Sequence, residues 1–72
     1  MAIFPERLKQ LRGEYNTTQV QLAAAVGLTD RACQKYEYGK IQPTLPVLIA
    51  IADYFDVSLD YLVGRSDNPK RR

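Results

Sequence analysis

Within residues 30–38 the chain offers Asp30, Arg31, Gln34, Lys35 and Tyr38, recurring at spacings of one, three and four. On a helix those spacings gather the five side chains on one flank. The chemistry they can do there is recognition: a guanidinium presents parallel donors, an ammonium a mobile point charge, and an amide a donor beside an acceptor. Bond-making chemistry has no comparable support. There is no histidine and one cysteine, Cys33. No nucleophile has an obvious base, no glycine-rich loop could cradle a phosphate, and no ligand cluster could close a zinc site. An enzyme is the weakest reading, and no cofactor, metal or small-molecule ligand is expected.

The 72 residues, 46% hydrophobic and 25% charged, suit one small domain. A chain this short buries only about 60% of its unfolded surface, so dimerisation would be a natural supplement. The lone cysteine rules out an internal disulfide. No apolar run approaches the roughly 20 residues that span a bilayer, and the N-terminus lacks a signal-peptide pattern; cytoplasm without membrane contact is the expectation. The net charge of +2 is too small to identify a polyanionic partner, but it is unevenly spread. Arg31, Lys35 and Lys40 lie close together, Asp53, Asp56 and Asp60 follow, and Lys70, Arg71 and Arg72 close the chain. A basic face opposite an acidic one would orient the molecule on a polyanion.

Positioning such a flank requires helices, and the pattern supplies five. Phe4, Leu8, Leu11 and Tyr15 form a stripe, with Pro5 suited to a first turn and Asn16 to a left-handed end. Thr18 and Gln21 predict a capping box opening a second helix, whose inward residues are Leu22, Ala23 and Val26, and Gly27 reverses the chain. Thr29 caps a third helix at about 30–38, with Asp30 beside its positive end and Cys33 and Tyr36 turned inward. Gly39 ends it, and residues 40–43 read as a loop. Thr44 is expected to cap a fourth helix, with Pro46 in its first turn and Leu45, Leu48, Ile51, Ala52 and Phe55 inward; Ser58 caps a last one carrying Leu59 and Leu62. The boundaries expected are a domain over 1–66 and a flexible basic tail over 67–72.

Two helices separated only by Gly27, Leu28 and Thr29 can meet steeply, as in a helix-turn-helix whose second helix projects into a major groove. Arg31 and Lys35 could then donate to guanine, and Gln34 could pair with adenine. From Phe4 to about Asn68 the sequence resembles the phage-repressor and Cro-like helix-turn-helix family, often called Xre. The resemblance is carried by Phe-Pro-Glu-Arg-Leu-Lys-Gln-Leu-Arg at 4–12, Thr-Gln-Val-Gln-Leu-Ala at 18–23, Val-Gly-Leu-Thr at 26–29, Tyr-Glu-Tyr-Gly-Lys at 36–40, Pro-Thr-Leu at 43–45 and Val-Ser-Leu-Asp-Tyr-Leu-Val-Gly-Arg-Ser-Asp at 57–67. It implies an all-α, five-helix, lambda-repressor-like DNA-binding domain in a prokaryotic cell or phage. The function implied is a transcriptional regulator, expected to be a repressor binding a palindromic operator in double-stranded DNA as a homodimer.

The same resemblance implies roles by position. Asp30, Arg31, Gln34 and Lys35 are candidates for base contacts. Thr18, Gln19, Tyr38, Lys40, Gln42 and Thr44 are candidates for the DNA backbone, with Gln19 also bracing the recognition helix. Arg12 and Glu37 align with a partly buried ion pair. Asp30 departs from the family's usual neutral or basic residue, and two readings stand: it accepts from a cytosine amino group, or it serves only the helix dipole. Dimers of the family meet near 41–43 and 57–62. A competing reading is a protein-interaction module, such as an antitoxin or regulatory subunit, in which Val47 and Tyr54 matter more than Arg31 and Lys35. The operator, the sign of regulation and any inducing signal are not legible in the sequence.

Overall fold

The computed structural model describes residues 3–71. They form α1 (Ile3–Glu14), α2 (Gln19–Val26), α3 (Asp30–Glu37), α4 (Leu45–Phe55) and α5 (Leu59–Leu62), with no strand among the described residues. Local chemistry sets most boundaries. Thr18 Oγ1 accepts from the Gln21 N–H while Gln21 Oε1 accepts from the Thr18 N–H, so two donors orphaned at the start of α2 are satisfied reciprocally. At its end Gly27 takes φ 77°, and Leu28 N–H closes back on the Ala23 carbonyl at 2.8 Å. Thr29 and Ser58 hydroxyls cap α3 and α5 by accepting from Ala32 and Tyr61. Asn16 is left-handed at φ 52°, as a helix-ending asparagine should be.

Because each helix is too short to hold alone, packing fixes them. α2 lies against α3 and α4, α1 against α3 and α5, and α4 against α5. Their inward stripes meet in one core of Leu8, Leu11, Leu22, Ala23, Cys33, Tyr36, Ile51, Ala52, Phe55, Val57, Tyr61 and Leu62. Phe4 sets its edge to Tyr36 with ring centroids 6.3 Å apart. Beside Phe4, at the start of α1, Gly64 comes against Ile3: it has φ +85°, and a Cβ there would lie 2.2 Å from the Ile3 side chain. Only glycine fits this approach of the chain end to α1.

Several expectations need correction. The third helix stops at Glu37, with Tyr38 as its cap, because Gly39 turns left-handed at φ 73°. Thr44 has the extended backbone of a cap, yet its side chain makes no capping bond; Pro46 already removes one of the N–H groups a cap would serve. Leu45 is 61% exposed and Leu59 36%, since each begins its helix at the margin of the core. Tyr15 is exposed too, although its ring tilts against Phe55 at 5.3 Å.

The tail is also placed by contacts that composition did not disclose. The Ser58 N–H donates to the Pro69 carbonyl at 3.0 Å, and Arg71 Nη1 donates to the Ala52 carbonyl at 2.9 Å. Arg72, the last of the expected basic tail, and the first two residues of the expected domain lie outside the described residues.

Candidate nucleic-acid interface

α3 is the most sharply two-sided element. Its inner side carries Cys33, Tyr36 and Glu37, all buried. Its outer side carries Asp30, Arg31, Gln34 and Lys35, all exposed, and the capping residue Tyr38 continues that flank at 68% exposure. The apolar side is what the core pays for with contact area, so the polar flank is left pointing outward by default. Burial among apolar neighbours pushes the Cys33 thiol above its ordinary range, and the nearby Glu37 and Asp30 carboxylates add to that. It therefore packs as a neutral core group.

The inner end of α3 is fastened by one carboxylate. Arg12 Nη2 donates to Glu37 Oε1 at 2.8 Å and Arg12 Nε donates to Oε2, a two-pronged pair. Gln19 Nε2 donates to the same Oε1 at 3.0 Å, and Arg12 Nη1 reaches the Thr17 carbonyl at 3.1 Å. The bond to Glu37 raises the Arg12 pKa more than burial lowers it, so the guanidinium stays charged. The last residue of α3, the first residue of α2, the turn before α2 and the body of α1 are thereby tied at one point. The Thr17 carbonyl was not anticipated, because a main-chain acceptor leaves no mark in the residue type.

The pairing of its arginines separates this face from the rest of the molecule. Arg7 pairs with Asp67, Arg12 with Glu37, Arg65 with Asp60, and Arg71 with Asp53 and Asp56. Among the described residues, Arg31 is the arginine with no acidic partner within 4.0 Å, and Lys35 and Lys40 have none either. No side chain of Asp30, Arg31, Gln34, Lys35 or Lys40 hydrogen-bonds within the described residues. Before α3 in the chain comes the start of α2, with Thr18 exposed and Gln19 half-buried, and after it the loop into α4, with Gln42 and Thr44 exposed. The first N–H groups of α2 and α4 have no carbonyl one turn back within their helices, and such ends favour an anion.

Sequence reasoning marked Ile41 as an apolar residue in this loop but did not place Leu45 or Ile49 on the surface beside it. Ile41 and Ile49 are each 42% exposed and Leu45 61%, and Leu45 and Ile49, four apart, share one face of α4 near its Thr44 end. The helical spacing of 45 and 49 was the available signal. No group of three or more potential metal ligands occurs among the described residues, and no helix there is long and apolar enough to cross a membrane.

Comparison with known proteins gives a consistent match. The helix-turn-helix family profile covers residues 8–62. The cryptic phage CTXphi transcriptional repressor RstR of Vibrio cholerae is 42% identical over 60 residues, 83% of this chain and 54% of that protein. The HTH-type transcriptional regulator YobD of Bacillus subtilis is 36% identical over 67 residues, 93% of this chain and 60% of that protein. The chain thus spans little more than half the length of these relatives. The P22 c2 repressor, solved in complex with a synthetic operator, superposes with a TM-score of 0.82 at 25% identity, covering 88% of this chain and 96% of that one.

Proposed function

The chain belongs to the Cro/C1-type helix-turn-helix family, and from that premise we propose that it is a sequence-specific regulator of transcription that binds double-stranded DNA, acting as a repressor on a palindromic operator. The observation that carries this reading is the α3 flank: a row of exposed polar side chains, including the one unpaired described arginine, that the fold itself does not use. In the operator-bound P22 c2 repressor the fold is the same. α3 enters the major groove, where Arg31 and Lys35 donate to guanine acceptors and Gln34 addresses adenine. Asp30 stands in the first turn, where its charge suits the helix dipole, and a cytosine amino group is its alternative partner.

Thr18 and Gln19 at the start of α2, with Tyr38, Lys40, Gln42 and Thr44, hold the phosphates on either side. Gln19 does this chiefly through its main-chain N–H, since its amide already serves Glu37. Regulation follows from occupancy, with no chemistry. A symmetric dimer would place two α3 helices about one DNA turn apart. The exposed apolar side chains of Ile41, Leu45 and Ile49 support the 41–43 region as the contact, because Val57, Tyr61 and Leu62 of the 57–62 region are consumed by the monomer's own core.

Selection of bound duplexes from a randomised pool tests this directly. The expected product is a two-fold symmetric site. Arg31→Ala should relax preference at one base pair per half-site, by about 1–3 kcal/mol, whereas Lys40→Gln should weaken all sequences alike and reduce the salt slope by about 1 per protomer. No enrichment at low salt would end the proposal.

A further inference from the structure

The composition of the C-terminal segment suggests a flexible, solvated basic tail, but its contacts describe something else. Residues 65–71 are fastened to three helices. On α1, Arg7 reaches Asp67 at 3.5 Å while its guanidinium lies 3.8 Å over the Tyr61 ring and donates to the Tyr61 carbonyl. At α5 the Ser58 N–H donates to the Pro69 carbonyl, and the Arg65 N–H donates to the Asp60 carbonyl at 2.7 Å. On α4, Arg71 donates to the Ala52 carbonyl and to Asp53, with Asp56 at 3.6 Å. Between these points the segment is stiffened by its own side chains, as Asn68 N–H donates to Ser66 Oγ and Lys70 N–H to Asn68 Oδ1.

The seat of Arg71 has its own physical logic. Ala52 lies in the last turn of α4, whose carbonyls carry the negative end of the helix dipole, and Asp53 and Asp56 add charge there. A guanidinium answers all three at once. Thr44, a proposed phosphate contact, lies at the opposite end of the same helix, eight residues and about 12 Å along the axis.

We propose that residues 65–71 form a latch, closed by Arg71 on the C-terminal end of α4, which clamps the α4–α5 corner and keeps Arg71 out of the nucleic-acid interface. This basic residue then serves the stability of the domain and not phosphate binding. Opening the latch loosens α5, whose four residues bring Tyr61 and Leu62 into the core.

The test uses the full chain with Arg71→Gln, Asp53→Asn and their combination, reading thermal midpoint and affinity for a duplex at fixed salt, with Lys40→Gln as comparator. Each single change should lower the midpoint by about 3–6 °C, and the double by less than the sum. Arg71→Gln should change duplex affinity by less than about twofold, while Lys40→Gln lowers it several-fold. Unchanged midpoints in both single variants would overturn the latch, as would a loss of affinity in Arg71→Gln matching that of Lys40→Gln. The midpoints decide the matter even if the wild-type chain binds no duplex, so failure of the DNA reading and failure of the latch are told apart.

Discussion

Replacing Arg12 by methionine should damage the fold more than replacing Glu37 by leucine, although the two residues form one pair. The Glu37 side chain is 2% exposed and the Arg12 side chain 21%. Arg12→Met leaves a buried carboxylate with one amide donor from Gln19, and stranding a buried charge costs about 3–5 kcal/mol. Glu37→Leu leaves a guanidinium that still holds the Thr17 carbonyl and can turn its free edge to water, which limits the loss to about 1–2 kcal/mol. The double variant removes both charges and exchanges them for apolar contact, so it should lie within about 1 kcal/mol of the wild type.

A domain of this size has about 4–11 kcal/mol of stability in all. The Arg12→Met loss would therefore shift a urea midpoint by about 2–3 M. Far-ultraviolet circular dichroism during urea titration of the four proteins gives both the order and the coupling. Equal costs for the two singles, a larger cost for Glu37→Leu, or a coupling below about 0.5 kcal/mol would refute the reasoning, since each would mean that Glu37 does not depend on Arg12.

Other outcomes follow from particular positions. Gly64→Ala should destabilise by clearly more than Gly27→Ala: both glycines have positive φ, worth about 1–2 kcal/mol, but only at Gly64 would the new Cβ strike Ile3, and thermal midpoints will rank them. Thr18→Ala should cost about 1 kcal/mol and Thr44→Ala only a few tenths, because the hydroxyl caps a helix at the first position and not at the second; denaturant midpoints decide. Burial raises the Cys33 thiol pKa, so its contribution is fully present below the unfolded value of about 8.5 and is lost as pH rises through the folded value. The stability of the wild type relative to Cys33→Ala should thus be flat from pH 6 to about 8 and decline above it, a trend that urea titrations across pH would show or deny.

Helix positions were legible because caps and apolar periodicity are local: Thr18 with Gln21, Gly27, Thr29 and Ser58 act within a turn of their own helix. The inward side of α3 was equally plain, since Cys33 and Tyr36 lie three apart while Gln34 and Lys35 between them are polar. Periodicity marks a face as apolar but not whether another element returns to cover it, and so Leu45 and Leu59 were expected inside and stand partly outside. The contacts of the C-terminal segment were hidden for a related reason. Asp53, Asp67 and Arg71 look like solvated charges until the fold brings them beside a helix end or an arginine from α1. The proposed base and phosphate contacts were named from residue type and resemblance; the structure adds that all of them but the half-buried Gln19 are exposed, and that Gln19 has a second commitment to Glu37.

The outward residues of α3 contribute no side-chain bond to the body that carries them. Thermodynamic integrity is vested in Glu37, Cys33 and Tyr36 behind, whereas the lettering in front is detachable. Under the proposed DNA-binding role, a lineage built this way can exchange Arg31, Gln34 or Lys35 and explore new target sequences with little penalty in folding, which would make sequence preference the most evolvable property of the molecule.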